Sequence, residues 1–148
     1  MPRSKETVII VSANHDLSQG VVQRVQLKGK QAVRYYSLSD ALKAADIAAS
    51  NEILFGLDET DQALRSLVFD ARTATLEECR QAAESLSALS EKFADRVRVA
   101  AITSNIQHSA EFTTKKLDVI EPLKLSSKDL LKSIVDFAVG TQKERVFR

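Results

Sequence analysis

Several residue types that point to particular functions are scarce in this chain of 148 residues. A single cysteine, Cys79, excludes the intramolecular disulfide framework of a small secreted domain. Tryptophan is absent and aromatic residues make up 5%, so few side chains are available to stack on nucleic-acid bases. The four glycines are too scattered to form a dinucleotide-binding fingerprint or a phosphate-binding loop: Gly20, Gly29, Gly56 and Gly140.

The chain also has almost no excess of positive or negative charge, because 21 Lys and Arg balance 20 Asp and Glu. A net charge of +1 gives no field that would attract nucleic acid or an anionic membrane. No apolar run reaches the roughly 18 residues of a membrane span, and no signal-peptide pattern opens the chain. The two histidines and one cysteine have no zinc-ligand spacing. We therefore expect a cytoplasmic protein with neither a nucleic-acid nor a membrane partner.

Short apolar segments rich in β-branched residues are present, and they predict strands over 7–11, 32–37, 66–70, 97–103 and 117–121. Near-continuous apolar runs such as VRVAAIT at 97–103 are typical of parallel strands that are buried on both faces. The segment at 32–37 is more amphipathic, which places it nearer a sheet edge.

Apolar residues at helical spacing lie between these strands and after the last one. Leu17, Val21 and Val25 predict a helix that stops near Gly29, and Ser39 is a candidate N-cap for the next helix. A capping box of Thr75 and Glu78 marks a further helix start. Weaker periodicity covers 108–116, and a last helix is expected from about 127 to Gly140.

This alternation predicts a doubly wound α/β domain with a five-stranded parallel sheet between two helical layers. The whole chain, 1–148, is expected to form one domain with its core at about 6–140 and a charged tail at 141–148. The stretch 51–65 is too long for a usual connection, so we expect an extra helical turn or a small lobe there.

Candidate functional residues follow the strands, because the functional edge of this architecture lies at the carboxyl ends of the strands. Ser12 and Ala13 follow the first strand and Asp70 ends the third. The fourth and fifth strands are followed by two pairs of residues: Thr103 with Ser104, and Glu121 with Pro122.

Three segments carry a resemblance to the receiver domain of bacterial response regulators. SLVFDAR at 66–72 resembles the apolar strand that ends in the receiver's phospho-acceptor aspartate. AAITS at 100–104 resembles the strand ending in a hydroxyl and a small residue, and EPLKLSSKDLLKSI at 121–134 resembles the segment around the receiver's lysine, cis-proline and last helix. The resemblance covers roughly 6–139 and implies a CheY-like, flavodoxin-like fold and a place in two-component signal transduction.

The same comparison shows what this sequence lacks. In receivers, two acids after the first strand hold Mg²⁺ and a lysine pairs with the phosphoryl oxygens, which offsets the repulsion between phosphate and aspartate. The acid positions match Ser12 and Ala13, and the lysine position matches Glu121. A carboxylate there would repel a phosphoryl group by about a few kcal/mol at close range. Val119 stands at the position of the family's switch aromatic.

We therefore predict an atypical receiver-like signalling domain, or pseudo-receiver, that is not an enzyme and needs no cofactor. It is expected to act by protein–protein interaction and independently of phosphorylation. By resemblance, the contact surface would be about 108–138, used either for a homodimer or for a partner such as a signalling kinase or regulator.

Two alternatives stay open at this point. The first is a phosphorylatable receiver with Asp70 as acceptor, in which Asp16 supplies an Mg²⁺ ligand or Lys124 replaces the lysine. The second is a small flavodoxin-like enzyme or ligand-binding domain.

Overall fold

The computed structural model describes residues 5–45, 62–92, 97–120 and 127–139, in which strands and helices alternate. The strands are β1 (Lys5–Val11), β2 (Gln31–Tyr35), β3 (Gln62–Asp70), β4 (Arg98–Ile102) and β5 (Asp118–Ile120). The helices are α1 (His15–Leu27), α2 (described over 38–45), α3 (Leu76–Lys92), α4 (Ile106–Thr113) and α5 (Ser127–Val139).

All five strands pair in parallel, in the order β2-β1-β3-β4-β5. This arrangement confirms the predicted doubly wound α/β fold and places the amphipathic strand β2 at an edge of the sheet. Chain order reverses beside β1, because β2 lies on one side of it and β3 on the other. The carboxyl ends of β1 and β3 therefore meet at the topological switch point.

The sheet separates two apolar cores, as the alternation of side chains along buried strands requires. Ile9 and Leu67 face one core, where α3 contributes Cys79, Ala83 and Leu86. On the opposite face, the side chains of β1, β3 and β4 pack against α1 and α5: Val8, Ile10, Val68 and Ile102 against Val21, Val25, Ile134 and Val135.

The predicted insertion at 51–65 is wrong for its last four residues, because residues 62–65 already belong to β3. Their backbone pairs with β1, from Lys5 opposite Gln62 to Thr7 opposite Leu64, and the register shifts before Val8 meets Ser66. Backbone hydrogen bonds extend this strand beyond the apolar run that the sequence shows. The rest of the predicted insertion, 51–61, lies outside the described residues, as do Gly140 and the tail 141–148.

Helix starts follow the expected capping chemistry, with one correction. The capping box at α3 is confirmed: the Thr75 amide donates to Glu78 Oε1 at 2.8 Å and the Glu78 amide donates to Thr75 Oγ1 at 3.1 Å. At α2 the cap is Ser37 and not Ser39, because the Asp40 amide donates to Ser37 Oγ at 3.4 Å. Ser39 lies inside the helix.

Within the described ranges, no helix has the length and apolarity needed to cross a bilayer.

Candidate functional site at the carboxyl edge of the sheet

Ser12 follows β1 and Asp70 is the last residue of β3. The two residues lie against each other because these neighbouring parallel strands end at the same edge of the sheet. The Ser12 hydroxyl donates to Asp70 Oδ2 at 2.7 Å and accepts the amide of Asn14 at 2.9 Å. The Asn14 side chain in turn accepts the Leu17 amide at 3.0 Å and caps α1. The loop after β1 is therefore anchored both to Asp70 and to the start of α1.

Arg72 is the functional residue that the sequence analysis missed. Its guanidinium forms a fork with both carboxylate oxygens of Asp70: Nε donates to Oδ1 and Nη2 donates to Oδ2, each at 2.8 Å. Its backbone amide also donates to Oδ1 at 3.2 Å. The side chain of Asp70 is 6% exposed and that of Arg72 is 25% exposed, so this bidentate pair is largely shielded from water. The one signal in the sequence was an arginine two residues after the strand-end aspartate.

Hydrogen bonds stabilise the negative charge of the Asp70 carboxylate. Burial alone would raise the pKa of its carboxyl group, but the hydrogen bonds from Arg72 and Ser12 outweigh burial, and the pKa lies below its usual value. The hydrogen bond to Asp70 likewise raises the pKa of Arg72. Asp70 is therefore ionised at neutral pH with both oxygens already accepting hydrogen bonds.

The hydroxyl of Thr103, at the end of β4, is directed to α4. Its Oγ1 lies 2.5 Å from Ser109 Oγ, and Ser109 donates to the Asn105 carbonyl at 3.0 Å. The hydroxyl groups of Thr103 and Ser109 therefore share a hydrogen bond in which either oxygen can be the donor. Thr103 is fully buried and Ser104 is half-buried. The structure thus brings Ser12 to Asp70 and joins Thr103 to α4.

The described residues do not fit a magnesium site of the receiver type. Mg²⁺ prefers several oxygen ligands, usually including carboxylates. Ser12 contributes a neutral hydroxyl, the side chain of Ala13 has no ligand atom, and both oxygens of Asp70 accept hydrogen bonds from Arg72. Asp16 is exposed in the first turn of α1. No group of three or more metal-binding side chains occurs in the part of the chain that the structure describes.

The remaining predicted site residues, Glu121 and Pro122, lie outside the described residues, and so does Lys124. Val119 is described, and it packs half-buried against the core that contains Phe112.

Comparison with known proteins gives a result at the level of the fold. No protein-family model and no curated protein matches the sequence. Solved structures do match. An orphan response regulator of H. pylori is 18% identical with a TM-score of 0.62, covering 90% of this chain and 96% of that one. A response regulator from Thermotoga maritima is 13% identical with a TM-score of 0.60, covering 92% and 99%.

A third similar structure is an atypical orphan response regulator described as having a phosphorylation-independent regulatory mechanism. It is 17% identical with a TM-score of 0.59, and the match covers 90% of this chain and 94% of that chain. Identities this low establish similarity of fold alone. The chain therefore has the CheY-like, flavodoxin-like fold that is found in response-regulator receiver domains.

Proposed function

We propose that this chain is a receiver-like signalling domain that acts through protein–protein interaction, without enzymatic activity and without phosphorylation of Asp70. The bidentate ion pair between Arg72 and Asp70 is the observation that carries the proposal. The similarity in fold to orphan and atypical response regulators supports it.

The ion pair opposes phosphoryl transfer in two ways. An attacking carboxylate needs an oxygen that is free to approach phosphorus, yet both oxygens of Asp70 accept hydrogen bonds from Arg72. Separating the pair would break charge-assisted hydrogen bonds and leave Asp70 charged in a mostly buried position. The two positions directly after β1, Ser12 and Ala13, offer no carboxylate that could hold a replacement cation.

The proposed contact surface is the face formed by α4, β5 and α5, about 108–138. Its described part carries four lysines and four acids: Lys115, Lys116, Lys128, Lys132, Asp118 and Asp129 are exposed, and Glu111 and Asp136 are half-buried. Among the large apolar side chains that are exposed in the described residues, Ile106 begins α4, next to this face. The others lie elsewhere in the sequence: Leu27, Val33, Tyr36 and Leu76. A polar face with balanced charges of both signs favours a transient complex with a charged protein surface over a tight apolar homodimer. A signalling kinase or regulator with a complementary charged surface is the proposed partner.

Titration with Mg²⁺ and beryllofluoride, followed by amide NMR, tests the proposal. Beryllofluoride imitates a phosphoryl group on a carboxylate, so we expect no saturable change in the amide signals of Asp70, Thr103 and Ser104. Incubation with acetyl phosphate and Mg²⁺ should likewise leave the intact mass unchanged. The Asp70→Asn variant is the control for binding at other sites.

Saturable shifts centred on Asp70 that vanish in Asp70→Asn would establish the alternative, a phosphorylatable receiver with Asp70 as acceptor and Mg²⁺ as cofactor. The same titration of Arg72→Ala tests whether the ion pair is what blocks the carboxylate. If it is, removing the guanidinium should allow weak beryllofluoride binding at Asp70.

A further inference from the structure

A cleft of about 720 Å³ opens at the carboxyl edge of the sheet, beside the ion pair. The ends of β1 and β3 form its base, through Val11 and Phe69, and the described part of α2 and the amino-terminal half of α3 form its walls. Its volume lies within the range of roughly 300–1,000 Å³ that is typical of small-molecule sites.

The topology explains why a cleft exists at this place. After β1 the chain enters α1, which packs on one face of the sheet through Val21 and Val25. After β3 it enters α3, which packs on the opposite face through Cys79 and Leu86. The two connections diverge from adjacent strands, and in doubly wound sheets ligands bind in the crevice that this divergence opens. Residues of both connections line the cleft, and its walls α2 and α3 lie together on the second face of the sheet.

The cleft has an apolar base and a polar rim. Leu42, Phe69 and Ala82 supply apolar surface, whereas exposed Gln81 and Ser85 line the rim on α3. Such a combination suits a ligand with a flat apolar body and a few polar atoms at one end.

A lysine at the rim offers a partner to an anionic group. Lys43 of α2 is exposed at the rim and forms no ion pair with any residue that the structure describes. Of the two acids among the described lining residues, Asp70 is paired with Arg72, whereas Glu78 on α3 is exposed and accepts only the neutral Thr75 amide, so it keeps its charge. Lys43, on the wall formed by α2, is the cation that the described lining offers to an anionic group.

We propose that this cleft binds a small organic anion, a carboxylate or sulfonate with a flat apolar body. The body would lie over Leu42 and Phe69 and the anionic group would meet Lys43. The inference does not depend on the proposed function, but it would supply that function with an input signal that needs no phosphorylation.

Fluorescence titration with anilinonaphthalene sulfonate tests the proposal, since this probe is anionic and aromatic and emits strongly in apolar surroundings. We expect saturable binding at one site per chain. Lys43→Glu should weaken it by about fivefold, the effect of an exposed ion pair at its upper limit. Ser85→Trp, which fills the rim from an exposed position of α3, should abolish it. Lys28→Glu changes an exposed lysine that does not line the cleft and should bind like the native protein.

Amide NMR with the same probe locates the site. Shift changes centred on Leu42, Phe69 and Ala82 support the proposal, and neutral phenylnaphthylamine should bind more weakly than the sulfonate. The proposal is overturned if binding is not saturable, if Lys43→Glu and Ser85→Trp bind as the native protein does, or if the shifts centre elsewhere. Melting temperatures of both variants show that they are folded. A failure of this proposal leaves the beryllofluoride result unaffected, so the two proposals fail separately.

Discussion

The side chain of Arg72 determines the chemical state of Asp70. Arginine suits this role better than lysine, because its planar fork matches both oxygens of a carboxylate at once. Since the backbone amide of Arg72 also donates to Asp70, the turn after β3 and the ion pair support each other. Ser12 adds a third donor group from the neighbouring strand. Asp70 thus links two loops and need not be a reactive group.

Replacing Arg72 by alanine should therefore destabilise the fold. The change removes hydrogen bonds to a charged, mostly buried acceptor, and we expect a loss of about 1–3 kcal/mol in the free energy of unfolding. Urea denaturation at neutral pH measures it. Arg80→Ala is the matched control, because Arg80 is half-exposed and pairs at the surface with Glu77 of α3 and, at 3.6 Å, with Glu111 of α4. For such exposed pairs a loss below about 1 kcal/mol is expected. Equal losses in the two variants would contradict the structural role of Arg72.

The lowered pKa of Asp70 predicts a pH dependence of stability. Hydrogen bonds keep the folded-state pKa below the ordinary value, which is about 3.9 in unfolded chains. The stabilisation is therefore present above that value and is lost as the pH falls through the folded-state pKa. We expect Asp70→Asn to be less stable than the native protein at pH 7 and to lose less stability on acidification. Denaturant unfolding at several pH values below neutrality checks this, and parallel curves for the two proteins would refute it.

At the scale of secondary-structure elements, α5 is fixed to the sheet at its carboxyl end. The buried Ser66 hydroxyl donates to the carbonyl of Ala138 at 2.9 Å, and Arg98 Nη1 donates to that of Phe137 at 2.8 Å. The Arg98 guanidinium also lies 4.3 Å from the centre of the Phe137 ring. The last carbonyls of a helix lack partners within the helix, so β3 and β4 supply them in this fold.

Ser66→Ala should loosen this end of α5. An unsatisfied buried carbonyl costs about 1–3 kcal/mol, and the effect is local because the apolar contacts of Ile134 and Val135 remain. Hydrogen exchange should become faster for amides in the last turn of α5 and stay unchanged in α3. Ser85→Ala, at an exposed position, serves as the control. Uniformly faster exchange throughout the protein would indicate global destabilisation and argue against a local role.

For the whole molecule, the polarity and charge of the surface decide whether two copies of the chain form a dimer. The described part of the α4–β5–α5 face carries balanced charges and mostly polar exposed side chains, whereas a stable homodimer interface has a largely apolar core. We therefore expect a monomer at micromolar concentration and low salt. Sedimentation velocity tests this expectation. A dimer that Lys115→Glu dissociates would instead favour the homodimer alternative on the same face.

The fold could be predicted from the sequence to a large extent. The local signals were strands rich in β-branched residues, apolar residues at helical spacing, and the capping box of Thr75 and Glu78. The capping box, for example, lies at the start of α3 as predicted. The errors have local causes as well. Residues 62–65 join β3 through backbone pairing, which cannot be predicted from the polarity of the side chains. Ser37 caps α2, although Ser39 is an equally suitable residue type.

The sequence by itself determined the class of fold and the edge at which Ser12 and Asp70 meet, because burial periodicity and the order of elements are written along the chain. Only the tertiary structure decided that Arg72 folds back onto Asp70, that the hydroxyl groups of Thr103 and Ser109 share a hydrogen bond, and that a cleft lies beside Asp70. The physical reason is that these features depend on the path of the loops and on side-chain rotamers. Composition and spacing do not specify either of them.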